Sequence, residues 1–251
     1  MAGRLQDKFA IVTGGGRGIG GAIVDAFADE GAHVAIAEMD EQTGAAKAAE
    51  VKAKGRQSLF VKTDVSKKTD IDAMIAKVIQ TFGRIDILVC NAGIHLMDPF
   101  INTSEEMFDR IIATNLKSQY FTSQAAAKDM VQRGEGGKII VVSSISSEVA
   151  DPGASAYCVG KGGSQMLVRS AAQELAEHNI QVNAIAPGTI KTKLTEWYET
   201  QEAADYCAKL VPAQRYGYPK EIAGAAVYLA SDESSYTTGA TIVIDGGLMT
   251  Q

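Results

Sequence analysis

Thr13 to Gly20, TGGGRGIG, spaces its glycines as a loop that can close tightly on a phosphate group. Gly14, Gly18 and Gly20 are the critical three. Without side chains they permit a sharp turn and bring the backbone close to a pyrophosphate, which then rests at the positive end of a helix. The loop directly follows an apolar run, FAIV from Phe9, and opens an amphipathic segment, the strand-to-helix setting that a dinucleotide site needs. No Gly-Lys-Ser/Thr follows, so a P-loop and its nucleotide hydrolysis are excluded. Glu38, in AIAEMD, lies 18 positions beyond Gly20, near the ~20 expected of a carboxylate that accepts hydrogen bonds from an adenosine ribose. Asp40 is the neighbouring competitor, and Glu38 is preferred because it continues the apolar run directly.

Other chemistries find no support. His33, His95 and His178 have no metal-ligand spacing, and Cys90, Cys158 and Cys207 form neither a CxxC pair nor an even disulfide set. No metal is expected, and the thiols read as reduced. A net charge of -6 with no Lys/Arg-rich run offers nothing to a nucleic-acid backbone. No apolar run approaches the ~18 residues of a membrane helix, and the N-terminal stretch lacks the pattern of a secretory signal. A cytoplasmic protein without membrane or nucleic-acid partners is expected.

The elements that must carry the loop recur along the chain. Apolar, β-branched runs begin at Phe9, His33, Ser58, Ile85, Lys138, Ile180 and Thr241, and read as seven buried strands. Between them lie Ala-rich segments with apolar residues at helical spacing, such as Gly18 to Glu30, Glu41 to Lys54 and Thr69 to Phe82. Strand-helix alternation predicts an α/β chain, 1–251, folded as a single doubly wound Rossmann domain, its parallel sheet of about seven strands covered by helices on both faces. With 46% hydrophobic and 22% charged residues, the 251-residue chain can fill that core. The longest stretch without a strand after the sixth runs from about Pro187 to Ser231, where substrate recognition is expected. Within it the segment 189–214, which holds Lys191, Lys193, Trp197 and Tyr198, is expected to act as a lid.

On these motifs the chain resembles the short-chain dehydrogenase/reductase family over nearly its whole length. The family's spaced-glycine motif is matched by Thr13 to Gly20, with Arg17 and Ile19 inside it, and its Asn-Ala-Gly element by Asn91, Ala92 and Gly93. Its Asn-Ser-Tyr-Lys set falls on Asn115, Ser144, Tyr157 and Lys161, Tyr to Lys four apart and Ser to Tyr thirteen. The resemblance implies adenine contacts from Asp64 and Val65, and nicotinamide contacts from PGTIKT, with Pro187, Gly188, Ile190 and Thr192 at that end. Cys90 replaces the family's usual second Asn, which alters the hydrogen bonding expected at that strand end but not the catalytic set.

The implied reaction interconverts a secondary alcohol and a ketone by hydride transfer to or from a nicotinamide cofactor, with Tyr157 as general base in one direction and general acid in the other. Tyr157 and Lys161 open a predicted helix, where residues four apart share a face. A phenol ionises near ~10 in water and a neighbouring ammonium favours the phenolate, so a lowered Tyr157 pKa is expected. By resemblance Lys161 also holds the nicotinamide ribose, Ser144 bonds the substrate oxygen, and Asn115 fixes a water that relays protons from Lys161. His95 falls two places after Gly93, where members of the family border the substrate, and reads equally as an exposed loop histidine; Ser144, Ser146 and Trp197 are the other substrate candidates. Met166, Leu167 and Ala171 read as packing positions on the catalytic helix.

On cofactor choice Arg17 and Glu38 point in opposite directions. Arg17 can pair with the 2′-phosphate of NADP, contact the pyrophosphate, pair with Glu38 or turn to solvent. Glu38 repels that phosphate, by about 4 kcal/mol for unit charges 4 Å apart at an effective dielectric of 20. NAD is therefore expected, and NADP less favoured. Competing readings are an NADP-dependent 3-oxoacyl thioester reductase, a sugar-nucleotide epimerase, and a nucleotide-sensing protein that has lost catalysis. The intact Asn115, Ser144, Tyr157 and Lys161 set weighs against the last. A homotetramer is expected, as in many relatives, with the apolar stretch from Thr237 covered by a partner.

Overall fold

The computed structural model describes residues 3–192 and 200–250, with the backbone alone for 202–204, 206 and 208. Seven strands, β1 (Phe9–Thr13), β2 (His33–Glu38), β3 (Ser58–Lys62), β4 (Ile87–Cys90), β5 (Gly137–Val142), β6 (Ile180–Pro187) and β7 (Thr241–Ile244), match the seven apolar runs. They form one parallel sheet in the order β3-β2-β1-β4-β5-β6-β7. The order runs outward in both directions from β1, so a crevice opens between β1 and β4 at their carboxyl ends.

Alternation along each strand explains why the runs are apolar throughout. In β1, Ala10 and Val12 join a core that includes Ile23, Val24 and Phe27 of α1 (Gly18–Asp29), Val51 of α2 (Glu41–Ala53) and Ile222 and Val227 of α8 (Pro219–Ala230). Ile11, between them, faces the opposite layer, with Met74 and Val78 of α3 (Lys68–Phe82), Met130 of α5 (Ser118–Arg133) and Val168 of α6 (Ser155–Leu175). A strand buried on both faces has no solvent side on which to place polar residues. Phe27 is fully buried, and its truncation to alanine costs about 3–5 kcal/mol.

Local chemistry sets the helix ends. Asp40 accepts from the backbone N–H groups of Gln42 and Thr43 at 3.0 and 3.2 Å and so caps α2. Its carboxylate is thereby committed to the helix. Ser104 caps α4 (Glu105–Ile112) in the same way, through Met107 N–H at 3.2 Å. Between α4 and α5 the chain widens into a π-helical turn, Ala113–Lys117, which holds Asn115. The stretch expected to lack strands carries α7 (Gln201–Leu210) and α8. Among the described residues no helix is long and apolar enough to cross a membrane.

Candidate active site

A cavity of about 1150 Å³ opens at the carboxyl ends of β1, β2, β4, β5 and β6. All the residues singled out above as cofactor, catalytic or substrate contacts line it, except three. Gly20 and Asn115 stand behind its wall, and Trp197, like Lys193 and Tyr198, lies outside the described residues.

The glycine loop forms because its backbone does what other residues resist. Gly14 takes φ +62°, a left-handed conformation, and a Cβ on Gly20 would collide with the Gly14 carbonyl. Gly20 thus permits the close approach of α1 to the loop. No side chain caps the first turn of α1 and no carboxylate stands in it, so the positive end of the helix faces the cavity. Asn91 ties the loop to β4: its Nδ2 donates to the carbonyls of Thr13 and Gly14 at 3.0 and 3.1 Å. Thr13 Oγ1 accepts from the N–H groups of Asn91 and Ala92 at 3.0 and 3.1 Å. Cys90, at the strand end where a second Asn was missed, is buried with its Sγ 3.6 Å from Ser123 Oγ, and burial pushes the thiol up to about 12. The link between the two strand ends is therefore complete without a side chain at position 90.

Glu38 turns back on the loop. Its Oε2 accepts from Gly16 N–H at 3.2 Å and its Oε1 from Met39 N–H at 2.9 Å. Arg17 is exposed and forms no ion pair with it. Asp64 is committed in part to its own turn, accepting from Ser66 N–H and Oγ at 3.1 and 2.7 Å, and the Ser66 bonds together with Lys67 hold its carboxyl below the usual range. Ile190 is pinned through its neighbours: Gly217 N–H donates to Thr189, and Lys191 N–H to Gly217, at 3.0 and 2.9 Å. Thr192 reaches across to the glycine loop, its Cγ2 3.7 Å from where a Gly18 Cβ would stand.

Tyr157 and Lys161 occupy the first two turns of α6. The Lys161 ammonium is buried and donates to the Val142 carbonyl at 2.9 Å; Gln119 Nε2 reaches the same carbonyl at 3.4 Å. Burial lowers Lys161 to about 8. Burial likewise pushes Tyr157 up to about 12; the Ser144 hydroxyl acts the other way, and the charges of Asp151 and Cys158 add to the rise. The lowered phenol expected from the Tyr-Lys spacing is thus reversed. Desolvation of the phenolate dominates, because the ammonium faces Val142 and lies 5.5 Å from the Tyr157 ring centroid.

Ser144 follows β5, its hydroxyl 3.2 Å from that of Ser146 and accepting from Ser146 N–H at 3.1 Å. Asn115, fully buried, spends both ends of its amide on one residue: Oδ1 accepts from Ile94 N–H and Nδ2 donates to the Ile94 carbonyl, each at 2.8 Å. It holds the loop after β4 rather than presenting its side chain to the cavity. His95 stands edge-on to Tyr157, ring centroids 4.6 Å apart. The cavity also gathers Thr63, Arg110 and Asp151, which no motif marked. Thr63 continues β3, and the neighbouring Asp64 was its available signal. Asp151 comes close to His95 only through the folding of two loops, which spacing cannot reveal.

A family model described as enoyl-(acyl carrier protein) reductase matches residues 14–249. A short-chain dehydrogenase/reductase of Armillaria gallica is 38% identical, over 97% of each chain. An L-rhamnose 1-dehydrogenase (NAD(P)(+)) of a Sphingomonas species is also 38% identical, again over 97% of both. Among solved structures, a gluconate 5-dehydrogenase of Burkholderia cenocepacia in complex with NADP and tartrate superposes with a TM-score of 0.94 at 34% identity, covering 99% of this chain and 97% of that one. The chain belongs to the short-chain dehydrogenase/reductase family. It is an oxidoreductase with the single-domain, Rossmann-like fold of that family.

Proposed function

We propose that this oxidoreductase interconverts a secondary alcohol and its ketone, with NAD as preferred cofactor and Tyr157 as the proton-transfer residue. The observation that carries the reading is that Tyr157, Ser144 and Lys161 converge on the same cavity as the glycine loop and Glu38. The cradle fits a dinucleotide: the left-handed Gly14, the close approach at Gly20 and the uncapped end of α1 leave room and positive potential for a pyrophosphate. Glu38 would face the adenosine ribose, Asp64 and Val65 the adenine, and Ile190 and Thr192 the nicotinamide end. Bound there, the nicotinamide supplies or accepts the hydride.

The chain's own residues align and move the proton. Ser144 holds the substrate oxygen as its charge changes. Lys161, its ammonium fixed in direction by the Val142 carbonyl, would hold the nicotinamide ribose. Asn115 is a positioning residue that sets the Ile94 peptide beside the cavity. With its pKa pushed up by burial, Tyr157 is protonated at neutral pH, the state a proton donor to a ketone needs.

Preference for NAD rests on Glu38 at the end of β2 and on Arg17 standing apart from it. The relatives do not decide the matter, since one is described with NAD(P)(+) and the other was solved with NADP. A small-molecule substrate, a cytoplasmic location and a homotetramer complete the reading. Support for assembly comes from the edge strand β7, where Val243 is exposed, and from Phe108, Val159 and Met166, exposed on α4 and α6. Met166 is 58% exposed, so it does not serve the packing within the chain that its helical spacing suggested. The test is nicotinamide absorbance with NAD and NADP across a panel of secondary alcohols and polyols. Oxidation of at least one with NAD supports the reading, and cofactor binding without turnover on any contradicts it.

A further inference from the structure

Two loops form the outer wall of the cavity beside Tyr157. One follows β4 and carries His95; the other precedes α6 and carries Asp151. They are tied by a backbone bond, Asp98 N–H to the Gly153 carbonyl at 2.7 Å, and Ala154 N–H closes a turn on the Asp151 carbonyl at 2.9 Å. The tie places His95 Nε2 3.6 Å from Asp151 Oδ2. That separation is too long for a hydrogen bond. Among the described residues neither side chain is bonded elsewhere, so both keep their hydrogen-bonding capacity for the cavity they line. Both are partly buried, with side-chain exposures of 32% for His95 and 40% for Asp151, and the His95 ring is braced by its edge contact with Tyr157.

We infer that His95 and Asp151 together read a second hydroxyl on the carbon next to the one oxidised, which makes vicinal diols and polyols the substrate class. The inference rests on the alcohol/ketone reading above and deepens it. A hydroxyl is at once donor and acceptor. A carboxylate is an acceptor and a neutral imidazole carries one N–H donor, so one hydroxyl placed between them satisfies both groups. The reacting hydroxyl lies at Tyr157 and Ser144, and the adjacent carbon's hydroxyl then falls toward the His95 ring that abuts Tyr157. Asp151 stands near enough to Tyr157 for its charge to add to the rise in the phenol's pKa, which burial dominates. A simple alcohol leaves the pair unmatched, and a site built to bond a hydroxyl rejects the analogue that lacks it.

The experiment compares substrates that differ by one hydroxyl: cyclohexanol against cis- and trans-1,2-cyclohexanediol, and 2-butanol against 2,3-butanediol. Each is measured as kcat/KM in the wild type, Asp151→Ala and His95→Phe, the last keeping an aromatic edge against Tyr157. The wild type is expected to favour a diol isomer by about 10- to 100-fold, the range of one charge-assisted hydrogen bond, and both variants to lose most of that ratio. Retention of NAD binding by fluorescence titration shows that the variants are folded. Turnover with a diol-to-alcohol ratio near one, or a ratio that survives both substitutions, overturns the inference and leaves the alcohol/ketone reading standing. Absence of turnover on every alcohol, with NAD and with NADP, removes both.

Discussion

Lys161 lies four residues beyond Tyr157 on one helix, yet its ammonium faces the Val142 carbonyl 2.9 Å away and stands 5.5 Å from the centre of the Tyr157 ring. The two groups share a cavity wall, and burial moves them in opposite senses, the amine down to about 8 and the phenol up to about 12. An amine with a lowered pKa loses its charge as pH rises through that value.

Affinity of the free enzyme for NAD should therefore fall with rising pH. If the charged amine holds the ribose, binding weakens about tenfold between about pH 7 and pH 9, as the protonated fraction of a group near 8 declines. Titration by fluorescence quenching measures it. Lys161→Met should bind more weakly at neutral pH and flatten the profile. A wild-type affinity constant across this range would contradict the proposed role.

Cofactor preference turns on Glu38, whose Oε2 accepts from Gly16 N–H at 3.2 Å. Glu38→Ser removes a charge that repels a 2′-phosphate and also a bond that steadies the glycine loop. The kcat/KM ratio of NAD to NADP should narrow by about tenfold or more, the equivalent of about 1.4 kcal/mol. A wild-type enzyme that already prefers NADP would show that Glu38 does not face the ribose.

Asn115→Ala should lower both stability and rate. The substitution leaves the N–H and carbonyl of Ile94 without their partner, at a cost of about 1–3 kcal/mol for each group that water does not reach. Thermal unfolding reads the first effect. For the second, kcat should drop while the affinity for NAD changes little, because the displaced Ile94 peptide lies beside the cavity next to His95 and not in the glycine loop. An unchanged kcat would limit Asn115 to folding.

Assembly offers a separate check. Sedimentation at micromolar concentration should give a mass near four times the 26.5 kDa chain, and a monomeric mass would remove the tetramer.

Most of the fold was legible because a parallel sheet buried on both faces writes its strands as unbroken apolar runs. All seven runs became strands, and the helix expected over Gly18 to Glu30 is observed as Gly18–Asp29. The glycine loop was legible for a different reason: Gly14 takes a left-handed φ of +62° that disfavours other residues, so the glycine spacing carries the geometry. Electrostatics was not. The Tyr-Lys interval puts both on one face of α6, but which way the ammonium points depends on Val142, nineteen residues earlier and on another element. Asn115 was identified by resemblance, but its commitment to Ile94 required the π-helical turn that no periodicity announced. The His95–Asp151 contact spans two loops without regular structure, where neither spacing nor composition specifies a distance.

The central claim is that Tyr157 transfers the proton, and Tyr157→Phe tests it most directly. The change removes one oxygen and almost no volume, so the fold and the cofactor cradle should persist. With a substrate found in the alcohol panel, kcat should fall by about 100-fold or more, the usual cost of losing a general acid or base, while affinity for NAD is retained. Turnover close to wild type in the folded, NAD-binding variant would contradict the account.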